Sequence, residues 1–224
     1  APKSFSTSDL KEHYKNSHSG CVTCGPHSSY TCRNTCGVSP LVLDLDGNGI
    51  RTGRTTRFDI DGDGRAEEFS DISPSDGVLA FDADGDGRAG ESGLELFGNI
   101  TDLGGDGKPD GLPDGFQSLR AFVRGAVSKG ILGADTLKKE RLDAQALSAL
   151  EKAYGLGVLV GGLNGRAVPF KEARVSVLWL PSGPPQTFQN FDGLSNYLTW
   201  VRNARFQRPN KTASRYVDVW FVIP

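Results

Sequence analysis

The 224-residue sequence predicts an α+β protein. Short apolar strands alternate with acidic, glycine-rich loops in the N-terminal half, whereas the C-terminal half shows helical periodicity and alternating strand patterns. We therefore expect a loop-organised N-terminal half with short strands, followed by helices packed on a small, mainly antiparallel sheet. Composition divides the chain into a polar arm with a cysteine-rich segment (1–38), an Asp/Gly-rich region (39–130) and an α+β region (131–224).

The first predicted strands are short and apolar. Leu41–Leu43 leads into one acidic segment, and residues 78–81 lead into another. Gly and Asp dominate residues 98–115, which predicts a loop throughout that stretch.

Two helices are predicted from their caps as well as from their periodicity. Asp114 precedes a helix over residues 115–129, and Asp143 precedes a helix over residues 144–154. An aspartate at this position accepts hydrogen bonds from the first free N–H groups of a helix, and the glycine after each segment favours its termination.

The last hundred residues predict one more helix and two more strands. Apolar residues share one face over 193–204, which indicates a helix, and strand patterns cover 175–180 and 216–223. The last strand is largely apolar on both faces. It is therefore expected either to lie centrally in a sheet or to be covered by a partner.

Three acidic hexapeptides, DLDGNG, DIDGDG and DADGDG, repeat one pattern of alternating side-chain oxygens followed by glycine. Their oxygen-bearing residues are Asp44, Asp46 and Asn48, then Asp59, Asp61 and Asp63, then Asp82, Asp84 and Asp86. Carboxylate and amide oxygens at this spacing suit calcium, and the glycine permits the sharp turn of a calcium loop. We expect three or more calcium ions, with backbone ligands at Ile50, Arg65 and Arg88.

These loops differ from EF-hands. The twelfth position, which supplies a bidentate Glu in an EF-hand, is Thr55, Ser70 or Gly93 here, and the flanking segments resemble strands. Other acids must close the loops. The candidates are Glu67 and Asp71 for the second loop and Glu91 and Glu95 for the third.

A fourth, weaker group of acids follows the three loops. It consists of Asp102, Asp106 and Asp110, with Asp114 at the same four-residue spacing. A solvated loop ending in a helix cap at Asp114 explains this pattern equally well.

The acidic residues are concentrated in one part of the chain. Residues 44–114 hold fourteen Asp and four Glu against five Arg and one Lys, a net charge of −12. Such a segment repels itself unless counter-ions neutralise it, and three divalent ions would remove about half of this charge. Calcium is therefore predicted to be a requirement for folding.

The ordered motifs resemble a known family. PLVLDLDGNGI, FDIDGDGRAEEF, GVLAFDADGDGRAGESGLELFG and DGFQSLRAF are similar to the calcium-binding segment of secreted haemolysin-type (RTX-associated) bacterial proteins, over residues 40–125. The resemblance implies calcium ligands at the nine motif residues and at Glu95. Some relatives cleave themselves at an Asp-Pro bond, a dipeptide that this sequence lacks, so that activity is not implied.

The cysteines leave two interpretations open. Cys21, Cys24, Cys32 and Cys36 have a spacing that fits either two disulfides or one tetrahedral zinc site, and disulfides are favoured in an exported protein. His13, His18 and His27 lie nearby and are interpreted as solvated residues of the arm.

Catalytic signatures are missing from the sequence. It contains no G-x-S-x-G, no H-E-x-x-H and no phosphate-binding Gly-Lys-Ser/Thr loop, and its histidines are confined to residues 13–27. No apolar run is long enough to cross a membrane. The basic residues near the C-terminus accompany no nucleic-acid recognition motif. We therefore expect that this protein has no enzymatic activity, no membrane-spanning segment and no nucleic-acid partner.

The expected function is that of a calcium-stabilised structural protein, secreted and extracellular or at a bacterial cell surface. The start at Ala1, without Met, resembles a mature end after removal of a signal peptide. An acidic front and a basic rear favour head-to-tail self-association into a ring or filament. The alternatives are a calcium-dependent adhesion module for a glycan or surface protein, and a secreted hydrolase with structural calcium.

Overall fold

The computed structural model describes residues 29–30, 36–183, 186–189, 197–201, 203–210 and 212–223. The predicted polar arm lies outside these residues. Within them the chain forms fourteen strands and three α-helices. The strands are β1 (Ser29–Tyr30), β2 (Cys36–Val38), β3 (Leu41–Leu43), β4 (Thr52–Phe58), β5 (Glu67–Ile72), β6 (Gly77–Ala80), β7 (Arg141–Leu142), β8 (Gly157–Val160), β9 (Arg166–Val168), β10 (Val177–Trp179), β11 (Gln186–Gln189), β12 (Tyr197–Trp200), β13 (Arg205–Gln207) and β14 (Ala213–Ile223).

Twelve of these strands form one sheet. Eight of them follow the order β7-β10-β13-β14-β3-β6-β8-β9 and curl into a half-barrel in which the neighbouring strands are antiparallel. Strands β4 and β5 form a separate antiparallel hairpin. The long strand β14 lies centrally, with β13 and β12 along one side and β3 and β2 along the other.

The predicted fold class is wrong for the C-terminal half. Instead of helices packed on a small sheet, this half supplies most of the strands of a large antiparallel sheet. The physical reason is that short, irregularly spaced apolar runs are stabilised by pairing with distant strands. Strand β14 provides this pairing, as its two largely apolar faces indicated.

The two capped helices are confirmed. Helix α1 (Gly115–Ser128) begins after Asp114, whose side chain accepts from the Gln117 N–H, and α3 (Ala144–Tyr154) begins after Asp143. Between them lies the five-residue helix α2 (Asp135–Lys139). In the parts of the chain that the structure describes, no helix has the length and apolarity that a membrane span needs.

The predicted helix over residues 193–204 is wrong for the part that the structure describes, whereas residues 193–196 and 202 lie outside the described residues. Residues 197–200 form strand β12, which pairs with β11 and β14. This strand contains the aromatic Trp200 and the β-branched Thr199, and both residue types favour β-strands. The cross-strand partners therefore override a helical periodicity that is only local.

The sheet buries both of its faces. Alternate residues of β3 point to different cores: Leu41 and Leu43 contact the helices, whereas Val42 packs with the β4–β5 hairpin. The same alternation places Leu79 of β6 on the helix side and Val78 on the hairpin side. The strands next to the acidic loops are consequently held from both sides.

Asp218 of β14 is a buried acid that joins the sheet to α1. Its Oδ2 accepts from the Gly115 N–H at 3.0 Å, and the residue is fully buried. Burial raises the pKa of this carboxyl well above its ordinary value, and the nearby Asp114 carboxylate adds to the effect. The folded protein therefore favours the neutral form of Asp218.

Replacement of Asp218 by Asn is expected to stabilise the protein at neutral pH. In the original chain, Asp218 should reduce stability as the pH rises above about 4, because the folded state resists losing this proton. The Asn amide keeps an acceptor for the Gly115 N–H and removes the cost of burying a negative charge. The free energy of unfolding should therefore rise by roughly 1–3 kcal/mol. Urea unfolding of both proteins from pH 4 to 8, at one calcium concentration, measures the difference. An unchanged pH dependence in the Asn variant would contradict the prediction.

Candidate functional site

The three acidic loops begin close to the ends of strands. Asp44 directly follows β3, Asp59 directly follows β4, and Asp82 comes two residues after β6. None of these loops is bracketed by two helices. The strand-like flanks expected from the sequence are therefore confirmed.

The first aspartate of each loop closes the turn through backbone hydrogen bonds. The glycine at the sixth position donates its N–H in all three cases: Gly49 to Asp44 at 3.3 Å, Gly64 to Asp59 at 3.0 Å and Gly87 to Asp82 at 2.9 Å. These glycines have φ values of +90°, +86° and +91°. Such φ values suit glycine, so the repeated glycine is a requirement of the turn.

The turns gather the acidic side chains into three clusters. One carboxylate oxygen from each member lies within 4.8 Å of those of the others. The clusters are Asp44, Asp46 and Asp76; Asp59, Asp61, Asp63 and Glu67; and Asp82, Asp84 and Asp86. Like charges at this separation repel each other, and oxygen donors of this kind are the ligands of hard cations such as calcium.

The candidate closing residues of the second loop lie in different places. Glu67 belongs to the second cluster, and it also accepts from the Ile60 N–H at 3.1 Å. Asp71 lies outside that cluster and is fully buried. Its oxygens accept from the Leu163 N–H at 2.9 Å and from Arg54 at 3.2 Å. Asp71 therefore fastens the hairpin to the loop after β8.

Glu91 and Glu95 both lie outside the third cluster. Glu91 is exposed and forms an ion pair with Arg88 at 2.9 Å. Glu95 is buried and accepts backbone N–H groups from Ala83, Gly90 and Glu91 at 2.8–3.0 Å. Burial raises the pKa of Glu95, and the nearby Asp84 carboxylate adds to this. Glu95 thus holds the backbone around the third loop in place.

The first aspartate of the fourth acidic group makes the same backbone hydrogen bonds as the first aspartate of the third loop. Asp102 accepts from the N–H groups of Gly105 and Gly107, both at 2.7 Å, as Asp82 does from Gly85 and Gly87. Its third position is Gly104, which removes one carboxylate. The other acids make backbone contacts: Asp106 accepts from Lys108, Asp110 from Leu103 and Asp114 from Gln117.

In the second and third loops, the backbone N–H of the seventh residue also fixes the side chain of one loop acid. The N–H of Arg65 donates to Asp63 at 2.9 Å, and the N–H of Arg88 donates to Asp86 at 2.8 Å. In the first loop, the N–H of Asn48 donates to Asp46 at 3.0 Å, and Ile50 is half-buried. These contacts hold one acid of each loop against its own backbone.

Sequence reasoning missed Asp76. It lies between the second and third motifs, and the only sequence signal is its position directly before the apolar strand β6. Its burial is visible only in the structure. Burial raises its pKa to about 7, with contributions from the Asp44 and Asp46 carboxylates. No local spacing rule connects it to a loop whose first residue lies 32 positions earlier.

The cysteine prediction falls largely outside the described residues. This applies to Cys21, Cys24 and Cys32 and to all three histidines, while Cys36 is described only as a backbone member of β2. The choice between disulfides and zinc therefore stays a prediction.

Comparison with known proteins gives one family match. The SPM domain family matches residues 41–125, a segment that begins with β3, contains all three acidic loops and ends within α1. A comparison with curated proteins found no match. The segment that carries the acidic clusters is thus the part of the chain that is similar to a recognised domain.

Proposed function

We propose that the protein binds calcium at its three acidic loops and acts outside the cell as a structural protein that associates with copies of itself. The observation that carries the calcium proposal is the convergence of carboxylates in three separate clusters, each built on the same glycine turn. Clustered acids also occur without ions. Here, however, each turn repeats one arrangement, and oxygen donors at this spacing suit calcium better than any softer metal.

Self-association is supported by an exposed basic strip on β13 and β14. Arg205 and Arg215 face each other directly across these strands, which is unfavourable for two like charges. Each guanidinium lies over an indole ring, Arg205 over Trp179 at 4.6 Å and Arg215 over Trp200 at 4.7 Å. An anionic partner would relieve this repulsion, and the acidic loops of another copy supply the required charge.

The association test compares calcium with a chelator. Static light scattering is expected to report a mass above that of one 24.0 kDa chain with calcium and a single chain without it. The double variant Arg205→Glu/Arg215→Glu should lower the calcium-loaded mass, because the basic strip becomes acidic. The matched control Arg124→Glu/Lys152→Glu changes the same charge elsewhere and should leave the mass unchanged. Equal masses with and without calcium would overturn the association proposal while leaving ion binding open to direct measurement.

A second candidate function, an adhesion module, is favoured by a cavity beside the third loop. The cavity has a volume of about 650 Å³, and its lining includes Asp82, Arg88, Glu91, Glu151 and Asn164. A lining that combines these polar groups with apolar residues such as Phe58, Leu163 and Val168 suits a glycan or a protein side chain. Two of its acids have partners in this structure, Glu91 in Arg88 and Glu151 in the Phe170 N–H.

A further inference from the structure

Asp76 is a buried acid that the structure places against the first loop. It directly precedes β6, and the residue is 1 % exposed. Strand β6 pairs antiparallel with β3, with Gly77 opposite Leu43. The start of β6 therefore lies beside the end of β3, where the loop that begins at Asp44 leaves the sheet. One carboxylate oxygen of Asp76 lies within 4.8 Å of those of Asp44 and Asp46.

The two oxygens of Asp76 have different environments. Oδ2 accepts from the Arg51 N–H at 3.3 Å, whereas Oδ1 is buried and has no hydrogen-bond partner. A buried acceptor without a partner is destabilising, and a charged one more so. Within the described part of the chain, no basic side chain forms an ion pair with Asp76.

Asp71 is a buried aspartate of the same protein in which each carboxylate oxygen has a donor. Its oxygens accept from two backbone N–H groups, those of Ile72 and Leu163, and from the Arg54 guanidinium. Asp76 instead combines an unpaired buried oxygen with two neighbouring carboxylates. That combination is unfavourable while all three carboxylates are charged, and a cation in the space that these oxygens share would relieve it.

The composition of the first loop points the same way. Its fifth position is Asn48, so its motif supplies two carboxylates where the second loop supplies three. The second cluster also contains Glu67, which comes from outside its hexapeptide. Asp76 occupies the corresponding role for the first loop and restores a third carboxylate, although it comes from a distant part of the sequence.

We propose that Asp76 is a direct ligand of the calcium ion held by Asp44, Asp46 and Asn48. This proposal rests on the calcium binding proposed above. Its consequence is that the first site is complete only when β3 and β6 are paired, whereas the second site is assembled from residues 59–67 alone. Calcium at the first loop then cross-links two strands of the central sheet.

The test follows each loop separately by the backbone amide resonances of Gly49, Gly64 and Gly87 during titration with calcium chloride. In Asp76→Asn, the Gly49 resonance should need at least about tenfold more calcium than in the original chain, because a charged ligand is lost. The Gly64 and Gly87 titrations should not change. Glu67→Gln is the matched control and should shift the Gly64 titration alone.

A second measurement avoids substitution. In the original chain, the side-chain carboxyl carbon resonance of Asp76 should move in parallel with the Gly49 amide as calcium is added. Unchanged Gly49 titration in Asp76→Asn, or a stationary Asp76 carboxyl resonance, would overturn the assignment of Asp76 while Gly64 and Gly87 still report binding. If none of the three glycines responds in the original chain, the proposed calcium function itself fails.

Discussion

Removal of calcium is expected to lower the free energy of unfolding by about 8 kcal/mol when the starting free-ion concentration is 100 times the dissociation constant. Each site stabilises the folded state by about 2.7 kcal/mol under this condition, and three clusters contribute independently. When the ions are removed, the net charge of −12 on residues 44–114 is no longer neutralised at the clusters, and the carboxylates repel one another. A loss of this size is comparable to the whole stability of an ordinary domain.

Urea unfolding followed by circular dichroism, with calcium or with chelator at equal ionic strength, measures this effect. Magnesium at the same concentration is the control, because it demands a regular octahedral shell and gives up its water reluctantly, so it should restore little stability. Equal unfolding midpoints in calcium and chelator would contradict the prediction. Equal stabilisation by both metals would indicate charge screening rather than specific sites.

The loss of order should be greatest where strands adjoin the clusters. Strands β3, β4 and β6 each lead into an acidic loop, and β3 and β6 are neighbours in the central sheet. The apolar residues Leu41, Leu43 and Leu79 of these strands pack against the helices. Hydrogen exchange of their amides is therefore expected to accelerate in chelator more than exchange in the first two turns of α3, whose cap at Asp143 involves no acidic loop. The end of α3 is not part of this comparison, because Tyr154 accepts from the Asp82 N–H at 2.9 Å.

The elements that the sequence predicted correctly depend on local chemistry. The helices after Asp114 and Asp143 follow from a side-chain cap and an apolar stripe, both of which lie within a few residues. Strand β3 follows from three consecutive apolar residues before a turn. In contrast, residues 197–200 have a periodicity that fits a helix, but their pairing with β14 decides that they form a strand.

The candidate site shows the same division between local and distant information. The hexapeptide spacing predicts the nine loop residues; the structure gathers their eight aspartates into three clusters, and the Asn48 amide donates to Asp46 of the first. Glu67 lies close enough in sequence to be proposed from spacing. Asp76 reaches its cluster only through the pairing of β3 with β6, and Asp71 is drawn away from the loops by contacts with Leu163, so neither location follows from spacing.

Asp71→Ala is expected to destabilise the protein by about 2–6 kcal/mol without changing calcium binding. The substitution leaves two buried backbone N–H groups, of Ile72 and Leu163, without their acceptor, and each costs roughly 1–3 kcal/mol. The bond from Leu163 joins the β4–β5 hairpin to the loop after β8. Its loss should therefore loosen the hairpin side of the core, which contains Phe69 and Leu163.

Two matched variants separate the contributions of Asp71. Both backbone N–H groups donate to the same oxygen, Oδ1, so Asp71→Asn keeps an acceptor for them and should cost far less than Asp71→Ala. Arg54→Ala removes the ion pair with Oδ2. The Arg54 side chain is 61 % exposed, but that of Asp71 is fully buried, so the substitution leaves a buried carboxylate oxygen without its donor and should cost roughly 1–3 kcal/mol.

Calcium titration of Asp71→Asn then distinguishes a structural role from a ligand role. A ligand would lose a charged oxygen in this variant, and the Gly64 amide would need about tenfold more calcium to respond. A structural acceptor would leave that titration unchanged. We expect the second result, because both oxygens of Asp71 are already occupied by N–H donors, whereas the buried Oδ1 of Asp76 has none.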